Sequence, residues 1–389
     1  MNPMRPEDQI VILSARPELS RAHKQHLQML VSHNQLDWGY LVKVSRRHGL
    51  DSLLYHHLSG CEWNHDEIPA GILERLRQHY YATACQNTLR LQEAGRVLNA
   101  LRKEEIPVIA LKGLALAEPL YQNIALRPMI DIDVMIRPAD YRRLTALLEQ
   151  LGYICHKSAV QRLAWERFGC NLEFSRASGG CVDLHWDLST YERLKGVVAL
   201  DADDFWQWSG VQTIAGCPVG VLCPEHLLLY QAFDAGFIHG FDRLLGGCDV
   251  LAVLEAFATA LDWDMTLASA RAAGLKSVLY AVLFWARRLW AAPVPEEVLR
   301  ALRPASRFRR HLIERCAGWR VDQDSSSRRH FSLQFLLLDG TAAMARMCGR
   351  VLVPSDDWLV YFYALRSPRL AVPLRVLHPF LLPFNRQLR

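Results

Sequence analysis

The 389-residue sequence predicts an α+β fold in which one small mixed sheet, packed by helices, lies between two helical regions. Three observations carry this. Apolar residues recur at three- and four-residue spacing through roughly the first hundred residues, short β-branched runs replace them between about 106 and 186, and helical spacing returns beyond residue 190.

The leader reads as helical from Leu27, Leu30 and Val31, from Leu50, Leu53 and Leu54, and from Ala94, Val97, Leu98 and Leu101, with Pro69-Ala70-Gly71 as one break. Residues 106–111 form a compact apolar run that stops at Lys112-Gly113, which marks a buried strand and its turn, and a short helix is expected over 114–121. Residues 129–136 are the next strand. Pro138-Ala139-Asp140 then opens a helix to about Leu151, which Gly152 is placed to end. Residues 171–174 and 182–186 alternate on either side of Ser178-Gly179-Gly180, the pattern of a hairpin. Further helices are expected over 225–237, 244–261 and 263–290, with Pro293 and Pro295 as a break. The expected division is a helical region over 1–104, the α/β core over 105–190, a helical domain over 191–300 and a mostly helical extension over 301–389.

A net charge of +5 suits an anionic substrate but falls far short of the electrostatic footprint of a nucleic-acid binder. No basic stripe with interleaved aromatics is present either, which sets nucleic acid aside as a partner. The ten cysteines form no CxxC pair or zinc-finger spacing and read as buried or incidental thiols. The first residues lack the apolar stretch of a secretory signal, and no window reaches about 18 uninterrupted apolar residues, so the expected setting is the reducing cytoplasm, without a transmembrane segment.

The chemistry is concentrated in Met129-Ile130-Asp131-Ile132-Asp133-Val134. Successive strand side chains point to opposite faces, so Asp131 and Asp133 share a face and Ile130, Ile132 and Val134 point the other way. Adjacent carboxylates raise one another's proton affinity unless a cation compensates, which makes a divalent metal the natural partner. Hard oxygen ligands favour magnesium or manganese over zinc. Asp183, on the strand that closes the hairpin, completes the set if its strand lies beside that of Asp131. Three such oxygens suit a two-metal site in which one ion activates an attacking hydroxyl and the other steadies the leaving pyrophosphate. On this reasoning Asp133→Asn removes a metal-binding charge and little volume, and relieves repulsion between the acids.

Lys112-Gly113-Leu114, then residues 126–136 from Leu126-Arg127-Pro128 through the two acids, then Val182-Asp183-Leu184-His185, resemble in their order the bacterial nucleotidyltransferase family of the DNA polymerase beta superfold. The similarity covers roughly residues 35–300. It implies that Gly113 lies in the turn that cradles a nucleoside triphosphate, that Asp131 and Asp133 bind the metals, and that Asp183 binds the catalytic metal. The family pattern commonly has Gly-Ser or Gly-Gly at that turn and a shorter gap to the acids. Here Gly113-Leu114 stands eighteen residues before Asp131, so the phosphate donors expected are the charges of Lys112 and Arg127.

Other residues weigh less. Arg127 either clamps a phosphate oxygen or neutralises the acids; His185 either orients the site or is a satisfied histidine beside Trp186, the latter reading being slightly favoured. Asp249 is expected in a helix-terminal role. The apolar tail over 370–384 is expected to pack on the chain's own body rather than dock on a membrane, because its three prolines oppose one continuous amphipathic helix. The leading function is an enzyme that moves a nucleoside monophosphate from a nucleoside triphosphate to a hydroxyl on a small molecule, peptide or protein. The alternative is a catalytically silent nucleotide- or partner-binding protein on the same fold.

Overall fold

The computed structural model describes residues 4–63, 67–177, 179–187, 192–321 and 327–381. Helices α1 (Pro6–Ser14), α2 (Arg21–Ser32), α3 (Trp38–Arg47), α4 (Asp51–Ser59) and α5 (Ala70–Lys103) open the chain. Ser20 and Asp37 start α2 and α3 by accepting the backbone N–H groups of His23 and Tyr40. The apolar faces anticipated from spacing, Leu27, Leu30 and Val31 among them, are buried. Those of α2 and α4 join Leu228, Leu251 and Leu279 of later helices in one core, so the leader and the second helical region pack together.

The sheet is mixed and six-stranded: β1 (Ile109–Ala110), β2 (Ile132–Met135), β3 (Asn171–Ser175), β4 (Cys181–His185), β5 (Gly210–Ile214) and β6 (Cys217–Val221), in the order β3-β4-β2-β1-β6-β5. Strands β3 and β4 pair antiparallel as the expected hairpin; Ser178 of its turn lies outside the described residues. Helix α6 (Lys112–Leu116) follows β1, α7 (Tyr141–Gln150) and α8 (Ala159–Phe168) follow β2, and α9 (Ala202–Gln207) follows β4. Ile132, Val134, Leu172, Phe174, Val182 and Leu184 turn one face of the sheet onto α5 and α7, where Leu98, Leu101, Leu144 and Leu148 complete a second core. The opposite face, carrying Asp133 and Asp183, looks towards the helical region. The α+β fold is the one the sequence predicts.

That helical region comprises α10 (Pro224–Ala232), continued by a π-helical turn over Phe233–Ile238, then α11 (Leu244–Phe257), α12 (Trp263–Ala272) and α13 (Lys276–Trp290). Two details correct the sequence reading. The helix expected over 263–290 is two helices, because Gly274 takes a left-handed φ of 69° between them. The hairpin β5–β6 was not anticipated: it turns on Ala215-Gly216, both at positive φ, and its second strand lies parallel to β1.

The chain goes on as α14 (Glu296–Leu302), α15 (Arg307–Cys316), α16 (Ser327–Leu337), α17 (Thr341–Leu352), α18 (Asp356–Phe362) and α19 (Ala371–Leu381). Helix α18 packs on α8, where the Tyr361 ring lies against Trp165 and its hydroxyl accepts a hydrogen bond from Lys157 at 3.0 Å. The tail packs on the chain's own body as expected, burying Ala371 and His378, but Pro373 and Pro379 do not prevent a helix. Pro373 falls in the first turn of α19, where no donor is needed, Pro379 is accommodated within the helix, and residues 382–384 lie outside the described residues. Among the described residues no helix is long and apolar enough to cross a membrane.

Candidate metal centre

The site is built where α5 holds the approach to β2. The buried amide of Asn87 donates to the carbonyls of Ile124 and Arg127 at 2.5 and 2.8 Å and accepts the N–H of Met129 at 3.1 Å, and Arg90 donates to the carbonyl of Ile130 at 3.0 Å. A loop whose backbone groups are satisfied in this way enters the sheet at a fixed place. Regular pairing starts at Ile132, so Asp131 stands at the mouth of the strand, and Ile130 is 71% exposed rather than buried beside Ile132.

Next, β2 and β4 run parallel with Asp133 directly opposite Asp183, which gives both carboxylates one face. This is the adjacency that the sequence left conditional. His185, two residues beyond Asp183, follows onto that face by strand parity. Its Nε2 lies 2.9 Å from Asp133 Oδ1 and 3.2 Å from Asp183 Oδ2, so it belongs to the cluster and is not a bystander beside Trp186. On the far side, the N–H of Leu111 donates to the Asp133 carbonyl at 3.0 Å and fixes β1 against β2. The next residue, Lys112, adopts a left-handed φ of 45° and brings Nζ to 2.7 Å from Asp133 Oδ1. A strained non-glycine residue held at a charged cluster is a feature of functional sites.

Burial, then the charge of Asp133 and a hydrogen bond to it, lift the Asp131 carboxyl to about 7. Burial would lift Asp133 as well, but the hydrogen bond from His185 and the charge of Lys112 outweigh it and hold that carboxylate well below the usual range. For His185 burial opposes the imidazolium, and the hydrogen bonds to Asp133 and Asp183 prevail, raising the ring to about 9. Lys112 is likewise opposed by burial and kept charged by the carboxylates of Asp133 and Asp234. Lys112 and His185 thus both act to hold Asp133 ionised, whereas at Asp131 burial and the charge of Asp133 outweigh Lys112.

Asp133, Asp183 and His185 each offer a ligand atom, all within 4.8 Å of one another, and Asp131 stands alongside, within reach of the Asp133 charge. This donor set suits a divalent cation: the oxygens of Asp133 and Asp183 converge with His185, whose ring can ligate once the cation displaces its proton, and the third carboxyl, Asp131 at the mouth, is pushed up to about 7 by burial and by the charge of Asp133.

Two predicted phosphate contacts have other neighbours. Arg127 forks onto Asp249, Nε to Oδ1 at 3.2 Å and Nη2 to Oδ2 at 2.9 Å, and Tyr121 donates to Asp249 Oδ1 at 2.7 Å. Asp249 is thus an interior residue of α11 in a buried ion pair, not a helix terminus. Gly113 keeps an ordinary φ, and its lack of a side chain admits that same guanidinium: a Cβ there would stand 2.5 Å from Arg127 Nη1 and 2.8 Å from Met129 Cγ. Sequence reasoning missed Asn171, whose amide donates to both oxygens of Asp183 at 3.0 and 2.9 Å, although its place on β3 opposite His185 follows from the hairpin. It also missed Tyr230 and Asp234, which α10 and the π-helical turn set against Lys112. A cavity of 570 Å³ bounded by Arg167, Trp186 and Lys195 opens beyond the end of β4, and none of the three acids lines it.

Aspartates facing one another on neighbouring parallel strands of a small mixed sheet, with a basic residue leaning across them from the turn after the first strand, define a nucleotidyltransferase core. The chain belongs to the family described as uncharacterised nucleotidyltransferase, whose model matches residues 34–291. No curated protein matches the sequence.

Proposed function

We propose that the protein transfers a nucleoside monophosphate from a nucleoside triphosphate to a hydroxyl-bearing acceptor, with magnesium or manganese held by Asp131, Asp133 and Asp183. The observation that carries this reading is the register pairing of Asp133 with Asp183 on one sheet face, with Asp131 at its mouth. A divalent cation bound there supplies Lewis-acid activation of the acceptor hydroxyl and neutralises charge on the phosphates. The chain's own groups do the rest. Asn171 holds Asp183 by both oxygens, and His185 holds Asp133 against Asp183, so the acids are oriented before substrate arrives. Lys112, a quarter exposed and beside Asp133, is the proposed contact for a triphosphate oxygen. The acceptor's oxygen forms the new bond to the α-phosphorus, pyrophosphate leaves, and the hydroxyl proton passes to solvent. A cytoplasmic setting accords with this use of nucleoside triphosphates.

One observation favours the silent alternative: Lys112 and His185 already satisfy Asp133, so a cation has to compete with them. Incubation with each labelled nucleoside triphosphate and magnesium or manganese separates the two readings. Label on protein or metabolite, with matching pyrophosphate release, supports transfer. Nucleotide binding without pyrophosphate release from any of the four overturns it in favour of the silent protein.

Lys112→Ala is expected to weaken nucleotide affinity about tenfold, as loss of one charge-assisted phosphate contact, while His185 keeps Asp133 paired and the fold stands. Titration calorimetry with magnesium checks this; unchanged affinity removes Lys112 from the phosphate site.

A further inference from the structure

Helix α19 is built the wrong way round for a helix that only packs on its own protein. Its inner side is fixed: Ala371 and His378 are buried, Leu374 packs beside α18, and Arg375 is ion-paired with Asp356. Its outer side is apolar throughout. Val372, Val376 and Phe380 form one row at four-residue spacing, Pro373, Leu377 and Leu381 form the adjacent row, and all six are exposed, Phe380 by 72% and Val376 by 70%. No charged residue interrupts the two rows.

The surroundings are basic. From residue 341 to the last residue the sequence holds seven arginines, no lysine, two aspartates and no glutamate, which equals the chain's whole formal excess of five positive charges. The two aspartates are both engaged, Asp356 with Arg375 and Asp357 with Arg167. Arg366 and Arg369, exposed in the turn that leads into α19, have no ion-pair partner among the described residues. Charge decides the occupant. A second copy docking through this face would bring arginines against arginines, whereas an anionic bilayer offers apolar depth for the two rows and phosphate for the guanidinium groups.

We infer that α19 docks the protein on an anionic membrane surface, lying in the plane of the interface with Val372, Val376, Leu377 and Phe380 in the acyl boundary and Arg366 and Arg369 at the headgroups. This does not rest on the nucleotidyl-transfer reading, since no residue of the acid cluster takes part. The contact is reversible: one short helix buries a few side chains, and attraction to the headgroups fades with salt.

Flotation of the full chain with phosphatidylcholine vesicles, and with equal-parts phosphatidylcholine and phosphatidylglycerol vesicles, tests it. The protein is expected to float with the anionic vesicles and not with the neutral ones. Val376→Asp with Phe380→Asp, which alters only exposed positions, should lower binding about a hundredfold, and Arg366→Gln with Arg369→Gln about tenfold or more. Failure of the wild type to float with anionic vesicles overturns the inference, as does equal flotation of the variant that combines Val376→Asp and Phe380→Asp. A wild-type dimer in light scattering that this same double variant dissolves assigns the face to a second copy instead, and overturns it too.

Discussion

Asp133→Asn is expected to lower nucleotidyl transfer about a thousandfold or more, the rate equivalent of losing several kcal/mol of electrostatic stabilisation at a metal-dependent phosphoryl centre. The side chain is buried and its Oδ1 meets both Lys112 Nζ and His185 Nε2, so the substitution keeps volume and removes the one anion that two cations share. Stability is expected to fall by about 1–3 kcal/mol, because the buried His185 and the part-buried Lys112 lose a charged acceptor. That reverses the sequence reading on stability alone, in which the fold stayed intact and relief of acid–acid repulsion was an added gain. Repulsion is real, and it shows at Asp131, but at Asp133 the attraction of Lys112 and His185 is larger. The check is pyrophosphate release with magnesium beside a denaturant melt of the same preparation. A folded variant that turns over near the wild-type rate removes Asp133 from the chemistry.

How far the sequence reached depends on the distance over which each feature is determined. Strand parity is a property of consecutive residues and applies within β2 from Ile132, with Asp131 just before it at the mouth, and the alternation around Gly179-Gly180 marked the hairpin for the same reason. Parity failed at Ile130, since the strand begins only at Ile132 and the residues before it follow the hydrogen bonds of Asn87 and Arg90 on a helix some forty positions earlier. The Asp133–Asp183 pairing was conditional in the sequence because no tight turn links two parallel strands; their register depends on what packs between them. The hairpin β5–β6 stayed hidden because Ala215-Gly216 lacks the usual Asn-Gly or Asp-Gly signal and β5 is an edge strand exposed over most of its length. His185 was weighed against an ordinary histidine beside Trp186, and only the site's geometry, with two carboxylates within 3.2 Å of its Nε2, decides the matter.

The pairing of Arg127 with Asp249 was the least legible feature, since 122 residues separate them, and it leads to the largest expected effect on folding. Side-chain exposure is 12% for Arg127 and 4% for Asp249, and the fork geometry uses both carboxylate oxygens. Arg127→Ala leaves that carboxylate buried with Tyr121 as its remaining donor, which should cost about 3–5 kcal/mol, the penalty for an uncompensated interior charge. Arg127→Met with Asp249→Leu removes both charges, keeps much of the volume, and should recover most of that loss, giving a strongly non-additive double-mutant cycle in urea denaturation. Arg127 pairs with Asp249 rather than with the acid pair that the sequence reading gave as its alternative, and the same variants separate this strut role from a phosphate clamp. If the guanidinium acts as a strut, fastening the approach to Asp131 onto α11 and filling the space beside Gly113, the restored double variant binds nucleotide with magnesium as the wild type does. If it clamps a phosphate, stability returns in the double variant and nucleotide affinity does not. The bidentate pair and the 2.5 Å approach to the Cβ position of Gly113 favour the strut, so the expected result is recovery of both.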